Sequence, residues 1–158
     1  MKYLLYQRET NGSEKSSKTN LQIEEIIPTL RLLFRGAISV SEWIWKIISF
    51  HRFSLFVVRD EKGDIIHKSA RIGRCGKFLF LKKGEYEIGP CFTASEHRGK
   101  GIYPAVLSHI MDQRIARYYM LVREDNRSSI RGIEKAGFFP CGRVERSRFG
   151  RWKIVDGI

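Results

Sequence analysis

Ser95-Glu96-His97-Arg98-Gly99-Lys100-Gly101-Ile102-Tyr103-Pro104 is the stretch on which the reading of this chain turns. Upstream of it, Glu85 to Thr93 reads as a strand. Downstream, residues 103–115 read as an amphipathic helix with Ala105, Val106, Ile110, Met111 and Ile115 near one face. Two glycines between strand and helix let the backbone turn tightly, and Pro104 stands near the first helical position, where a missing N–H costs nothing. The free amides of such a turn, backed by the positive end of the helix, form a cradle for an anion. Each such electrostatic contribution is about 0.3–1 kcal/mol, so several amides converging on a pyrophosphate make a usable site. An ordinary glycine turn before a helix is the alternative. A Walker loop would need Gly where Ala94 stands and Ser or Thr where Gly101 stands, and a dinucleotide fingerprint would need a third Gly in place of Pro104. Both fail.

Working outward, Tyr118 to Val122 is a compact apolar strand, and Asn126 to Ala136 a short helix closed by Gly137. Two strand-like segments, 139–147 and 151–155, follow. On the N-terminal side, Phe53 to Arg59 and Asp64 to Ile72 flank Asp60-Glu61-Lys62-Gly63-Asp64, the pattern of a hairpin. Lys77 to Leu81 reads as one more extended piece. Leu21 to Phe50 reads as mostly helical, because Ile23, Ile26, Ile27, Leu30 and Phe34 recur at three- and four-residue steps around Pro28. A second helix from Ser39 or Ser41 carries Trp43, Ile44, Ile47 and Ile48. Residues 9–20 are polar and turn-rich, and Tyr3 to Tyr6 reads as a short strand. The order predicts one mixed α/β domain over residues 1–158, of the α+β kind.

The 158 residues are 42% hydrophobic and 29% charged, enough for a core and against global disorder. No apolar run approaches the roughly 20 residues of a membrane helix, and Met1 to Thr10 lacks the apolar core of a signal peptide. Cys75, Cys91 and Cys141 are odd in number and widely spaced, which excludes a disulfide framework and suits a reducing compartment. The expectation is a cytoplasmic protein without a membrane partner. The chain carries 29 Lys and Arg against 17 Asp and Glu, a net charge of +12. Residues 1–70 hold 11 basic and 8 acidic side chains and residues 71–158 hold 18 and 9, so the excess sits in the second part. That field favours polyanions or a phosphorylated ligand, although a basic surface kept for solubility has the same composition.

The residues of the turn and of the following helix together resemble the GNAT superfamily of acetyl-CoA-dependent N-acetyltransferases. Its signature, Gln/Arg-x-x-Gly-x-Gly/Ala between the fourth strand and third helix, is matched by Arg98-Gly99-Lys100-Gly101-Ile102, after a strand containing Glu87-Ile88-Gly89. A second motif, Asn followed by a helix ending in Lys-x-Gly-Phe, is matched by Asn126 and by Lys135-Ala136-Gly137-Phe138. The resemblance covers residues 85–140 well, the hairpin at 53–72 loosely and residues 1–50 by element order alone. It implies the acyl-CoA N-acyltransferase fold, a central and mostly antiparallel sheet flanked by helices. Two positions depart from the pattern. The sixth position of the turn motif is Tyr103 rather than Gly or Ala, and the place where many members carry a proton-donating Tyr is Ile133.

What the resemblance implies is acetyl transfer from acetyl-CoA, used as co-substrate, to a primary amine of a small molecule. Deprotonating an alkylammonium of pKa near 10 at neutral pH costs roughly 4 kcal/mol, which calls for a general base. By resemblance the base is a carboxylate on the fourth strand: Glu87, or Glu85 two residues earlier. Glu87 is otherwise a strand-end carboxylate paired with arginine. Main-chain groups of Phe92 and Thr93 would lie along the pantetheine arm. The amides of Arg98, Gly99, Lys100, Gly101, Ile102 and Tyr103 would hold the pyrophosphate, and Asn126 would serve the arm while also capping its helix.

Cys91 reads as a structural thiol without a histidine to activate it. His51, His67, His97 and His109 lack metal-ligand spacing, so no metal is expected. Arg123, Arg127, Arg131 and Lys135 recur every four residues as a basic stripe, and of Trp43 and Trp45 one faces a core and the other an acceptor pocket. The charge suits an anionic acceptor such as a nucleotide-linked amino sugar, whereas a protein acceptor would want an open, acidic groove. A different class of reading is a nucleic-acid-binding module built on Arg148-Phe149-Gly150-Arg151-Trp152-Lys153, whose aromatics alternate with cations. A CoA-binding relic without catalysis is a third. The sequence leaves the oligomeric state open, a homodimer included.

Overall fold

The computed structural model describes residues 2–11, 21–29 and 52–157, with the single positions 40, 44, 47 and 49. The described elements are strands β1 (Tyr3–Glu9), β2 (Ile23–Ile26), β3 (Phe53–Arg59), β4 (Ile65–Gly73), β5 (Tyr86–Thr93), β6 (Arg117–Arg123), β7 (Phe139–Arg146) and β8 (Trp152–Gly157), with helices α1 (Ile102–Asp112) and α2 (Arg127–Lys135). The strands form one sheet in the order β2-β3-β4-β5-β6-β1-β7-β8. Every neighbouring pair is antiparallel except β5 and β6.

Both faces of the sheet are covered, which is why β3 is apolar almost throughout rather than alternating. Phe56, Val58, Ile88, Tyr118 and Met120 face α1 and α2, where Ile102, Val106, Leu107, Ile110, Met111, Ile130 and Ile133 meet them. The five α1 side chains in that group stabilise the layer by about 1.5–3 kcal/mol each. On the other face, Leu5, Phe53, Leu55, Val57, Ile72, Tyr119, Val144 and Trp152 pack beneath Cys75, Phe78 and Leu81. That cover is stitched to β8 by the Trp152 N–H donating to the Lys77 carbonyl at 2.7 Å and the Leu79 N–H to the Trp152 carbonyl at 3.1 Å.

Three sequence expectations change. The helix expected over Leu21 to Phe50 gives way at its start to β2, whose Ile23 pairs with Val58 and Ile26 with Leu55. A spacing of three reads as helical. In a strand it sends the two isoleucines to opposite faces, and Ile23 and Ile26 do pack against opposite cores. The strand is also demanded by Arg71, which is buried in β4 and whose guanidinium donates to Glu25 of β2 at 2.8 Å, to Gln113 at 2.9 Å and to Ser54 at 3.2 Å. Leu30, Phe34, Trp43, Trp45 and Ile48 lie outside the described residues, as do residues 12–20; Ile44 and Ile47 are exposed. Lys77 to Leu81 is a run of turns with a single bridge, Phe78 to Trp152, and not a strand. Finally, α1 stops at Asp112, and Ile115, expected on its apolar face, is 75% exposed.

Candidate functional site

Strands β5 and β6 are paired only at Tyr86–Tyr118 and Glu87–Tyr119. Beyond Glu87 they part, because β5 carries an extra residue: Ser69 pairs with Cys91 and Arg71 with Ile88, so Gly89 and Pro90 together oppose Ala70. Pro90 has no N–H for a ladder, and a bulge bends the strand that contains it. The result is a cleft of about 880 Å³ between the splayed strands, running from the glycine turn and α2 on one side to Tyr3, Lys77, Phe78 and Trp152 on the other.

At one end stands the turn. A single helical turn, Ser95–His97, precedes it, and Gly99 and Gly101 both adopt φ +77°, the left-handed region. An added Cβ would meet nothing within 4 Å at either position, so glycine is required here by conformation and not by space. Among the described residues, no carbonyl or side chain accepts from the amides of Gly99, Lys100, Gly101, Ile102 or Tyr103. The Arg98 amide is different: it donates to the Ser95 carbonyl at 3.3 Å, and the Arg98 side chain braces the turn by donating from Nε to the Thr93 carbonyl at 3.1 Å. The cradle therefore starts one residue later than the sequence suggests. Asn126 caps α2, its Oδ1 accepting from the Ser129 amide at 3.2 Å and the Ser128 hydroxyl at 3.0 Å, and it lines the same cleft.

Along the strand, the Ala94 amide donates to the Ile66 carbonyl at 2.9 Å. In an antiparallel pair, hydrogen-bonded partners alternate. Phe92 therefore spends its backbone groups on Lys68, while Cys91 and Thr93 turn theirs toward the cleft edge. Phe92 contributes its half-exposed ring to the lining instead.

The other end holds Glu87. It is buried, lines the cleft, and its Oε2 has no hydrogen-bond partner among the described residues. Burial raises its pKa well above the ordinary carboxylate value, and the Lys77 ammonium opposes this only in part. Lys77 is itself pushed down by burial, held up by Glu87 and pushed down again by Arg146. A Cβ on Gly89 would sit 2.5 Å from Glu87 Oε1, so only glycine leaves room for the carboxylate at that position. Glu85 is not in the cleft. Its Oε2 accepts the Lys82 amide at 2.7 Å and its Oε1 lies 3.7 Å from Arg117.

Between the two ends runs a chain of polar side chains. The ring of His67, wholly buried, bonds Thr93 Oγ1 through Nδ1 at 2.7 Å and Ser69 Oγ through Nε2 at 2.8 Å. Burial lowers its pKa to about 4, so it is neutral at physiological pH. The Cys91 thiol lines the cleft next along β5, and burial raises it to about 12, which leaves it unreactive. Tyr103 does not point away from the cleft. Its ring lies on α2, where a Cβ at Gly132 would come within 2.5 Å of Cδ1, and its hydroxyl reaches to 4.0 Å from Met120 Sδ. Burial holds that phenol well above its usual pKa. Ile133 is buried in the helix-side core.

Arg131 and Lys135 line the cleft from α2 and Arg123 from the end of β6, where it pairs with Asp125, so the expected stripe is split between a strand and a helix. Among the described residues, Lys77, Arg98, Arg123, Arg131 and Lys135 line the cleft with one carboxylate, Glu87. Lys77, Tyr3 and Trp152 were not singled out by sequence reasoning for this site; nothing local marks residues so far apart as neighbours. His97 lines the cleft, and among the described residues no group of three His, Cys, Asp or Glu side chains is placed to hold a metal.

No protein-family model and no curated protein matches the sequence. Solved structures do. An acetyltransferase from the GNAT family of Colwellia psychrerythraea matches over 88% of this chain and 52% of its own, with a TM-score of 0.53 and 20% identity. A functionally unknown conserved protein from Staphylococcus epidermidis matches over 90% and 58%, with a TM-score of 0.63 and 12% identity. The ribosomal-protein-S18-alanine N-acetyltransferase of Escherichia coli matches over 83% and 88%, with a TM-score of 0.54 and 16% identity. The chain thus spans between half and three fifths of the first two. It has the GNAT acyl-CoA N-acyltransferase fold.

Proposed function

We propose that this protein transfers an acetyl group from acetyl-CoA to the primary amine of a small, anionic acceptor. One observation carries the reading: a single cleft joins a row of amides without partners among the described residues, Gly99 to Tyr103, to a buried carboxylate, Glu87, whose Oε2 has no hydrogen-bond partner among them. The amides fit a pyrophosphate, with Arg131 and Lys135 as cations beside it and Asn126 near the pantetheine arm. The N–H groups of Cys91 and Thr93, turned toward the cleft, suit a thioester carbonyl that gains negative charge. When bound, acetyl-CoA supplies an acyl carbon activated by a good leaving group. Glu87 takes the proton of the incoming ammonium, directly or through water; its raised pKa brings it nearer to neutrality, where a base is most effective. Glu85, tied to Lys82 and Arg117, is left a structural role.

The leaving sulfur needs a proton, and Ile133 has none to give. Tyr103, which lines the cleft, takes that part; its raised pKa makes it a weaker acid than a free phenol, so it gives up the proton only as negative charge builds on the sulfur. Replacing Tyr103 with Phe is expected to lower kcat at least tenfold with CoA affinity kept. The loss should shrink with an acetyl thioester of a more acidic thiol; equal losses with both donors would assign Tyr103 to packing alone.

The nucleic-acid reading keeps an exposed Phe149 but loses its other aromatic, because Trp152 is buried with its ring edge-on to Tyr3 at 4.7 Å. A relic that only binds CoA has no use for a buried carboxylate oxygen without a hydrogen bond at the cleft's far end. The three cysteines are free, in keeping with a reducing, cytoplasmic setting; among the described residues, no helix is long and apolar enough to cross a membrane. Acetyl-CoA at 100 times its Kd should stabilise the fold by about 2.7 kcal/mol, a rise in Tm of about 5–10 °C for a domain of this size. A panel of amines should then release free CoA thiol. A Tm unmoved by acetyl-CoA, or raised only by an oligonucleotide, would overturn the proposal.

A further inference from the structure

A second cavity of about 470 Å³ adjoins the far end of the cleft, lined by Cys75, Gly76, Lys77, Arg146, Phe149, Gly150 and Arg151. Lys77 lines both cavities and so marks their junction. The charged side chains of this second cavity are all cationic. Among the described residues neither Arg146 nor Arg151 has a carboxylate partner. The two arginines are not loose on a loop. Arg146 ends β7 opposite Trp152, and the turn between them is closed by the Gly150 amide donating to the Ser147 carbonyl at 2.9 Å, the Ser147 amide to the Arg151 carbonyl at 2.7 Å, and the Arg151 amide to Ser147 Oγ at 3.1 Å. The Arg146 guanidinium is folded over that turn, its Nη2 3.4 Å from where a Cβ on Gly150 would stand. Phe149, 85% exposed, forms part of the same wall.

Two guanidinium groups around one cavity repel one another until an anion enters, and their paired charges match a dianion better than a carboxylate. We infer that the cavity is the acceptor's anion subsite: it takes a phosphate group of the substrate between Arg146 and Arg151, and so directs the substrate's amine past Lys77 toward Glu87. This rests on the acetyltransferase reading and adds to it the substrate class, a phosphate-bearing primary amine. Lys77 then has two tasks, one charge toward the phosphate and one toward Glu87. Phe149 gives the bound molecule an apolar wall.

The test uses the full chain saturated with CoA, so that the glycine turn is filled and only the second site remains for phosphate. O-phosphoethanolamine, β-alanine and ethanolamine serve as probes that place a phosphate, a carboxylate or nothing charged near an amine. The expected order by calorimetry is O-phosphoethanolamine tightest, with inorganic phosphate competing for it. In the Arg146→Glu/Arg151→Glu double variant its affinity should fall at least tenfold, while CoA affinity stays within twofold. Both positions are exposed, so the fold should tolerate the change. Equal binding of O-phosphoethanolamine to wild type and variant, or equal binding of ethanolamine, would overturn the subsite; equal binding of β-alanine would overturn the assignment to phosphate. If CoA itself fails to bind, the acetyltransferase reading falls. The inorganic phosphate titration then still decides the cavity, since phosphate affinity must drop in the double variant for the subsite to stand.

Discussion

Replacing Glu87 with Gln is expected to lower kcat/KM for the amine by about 10²–10⁴-fold and, at the same time, to raise the melting temperature at neutral pH. Both effects come from one atom, Oε2, which is buried in the cleft with no hydrogen-bond partner among the described residues. The folded-state pKa of Glu87 lies well above its value in the unfolded chain, because burial penalises the charged form. The folded state therefore holds this proton more tightly than the unfolded state does. Its contribution to stability is complete below the unfolded carboxylate pKa and is lost as pH rises through the folded pKa. Gln does not titrate, so the variant's advantage in Tm should grow from about pH 4 upward and level off above the raised pKa. The rate should show the mirror image. Wild-type kcat/KM should climb as Glu87 loses its proton, and the limb should vanish in the variant. A variant with unchanged rate and unchanged pH profile would remove Glu87 from catalysis, whatever its effect on Tm.

Gly101→Val is expected to weaken CoA binding at least tenfold while leaving the protein folded. The physical reason is the φ of +77° at Gly101, which for a residue with a Cβ costs about 1–2 kcal/mol and more for a β-branched one. Because nothing lies within 4 Å of a Cβ built there, no clash with the rest of the protein adds to that cost. The chain can relieve it by rotating out of the left-handed region. Rotation turns the amides of Gly101, Ile102 and Tyr103 away from their common focus, and affinity is lost with them. Gly157→Ala is the control, since Gly157 has neither a positive φ nor a neighbour within 4 Å. Calorimetry with CoA and far-UV circular dichroism on both variants make the comparison. CoA affinity preserved in Gly101→Val, with the fold intact, would mean that the amides of this turn do not hold the pyrophosphate.

The expectations that held share one property: their causes lie within a few residues of each other. The glycines of the turn, the Asn126 cap and the Phe53–Ile72 hairpin are each decided by local dihedral and hydrogen-bond preferences, and each lies where the residue pattern puts it. Where local pattern and sheet pairing competed, pairing won. Ile23 and Ile26 are spaced for a helix, yet an open edge on β3 and a buried Arg71 in need of Glu25 draw them into a strand. Tyr103 looked like a defect in the turn motif until its ring is seen against Gly132, twenty-nine residues on, where no other side chain would leave it room.

From the amino-acid order alone come the glycine turn, the Asn126 cap, the basic balance and the class of fold they resemble, because each is written in short-range conformational energies or in simple charge. The tertiary structure alone decides that β5 and β6 part after Glu87, that Glu87 rather than Glu85 keeps a buried oxygen without a hydrogen bond among the described residues, and that Lys77 stands between two cavities. Burial and electrostatic coupling depend on which distant segments are neighbours, and Tyr3, Lys77, Glu87 and Trp152 line one cleft only once the segments that carry them are brought together.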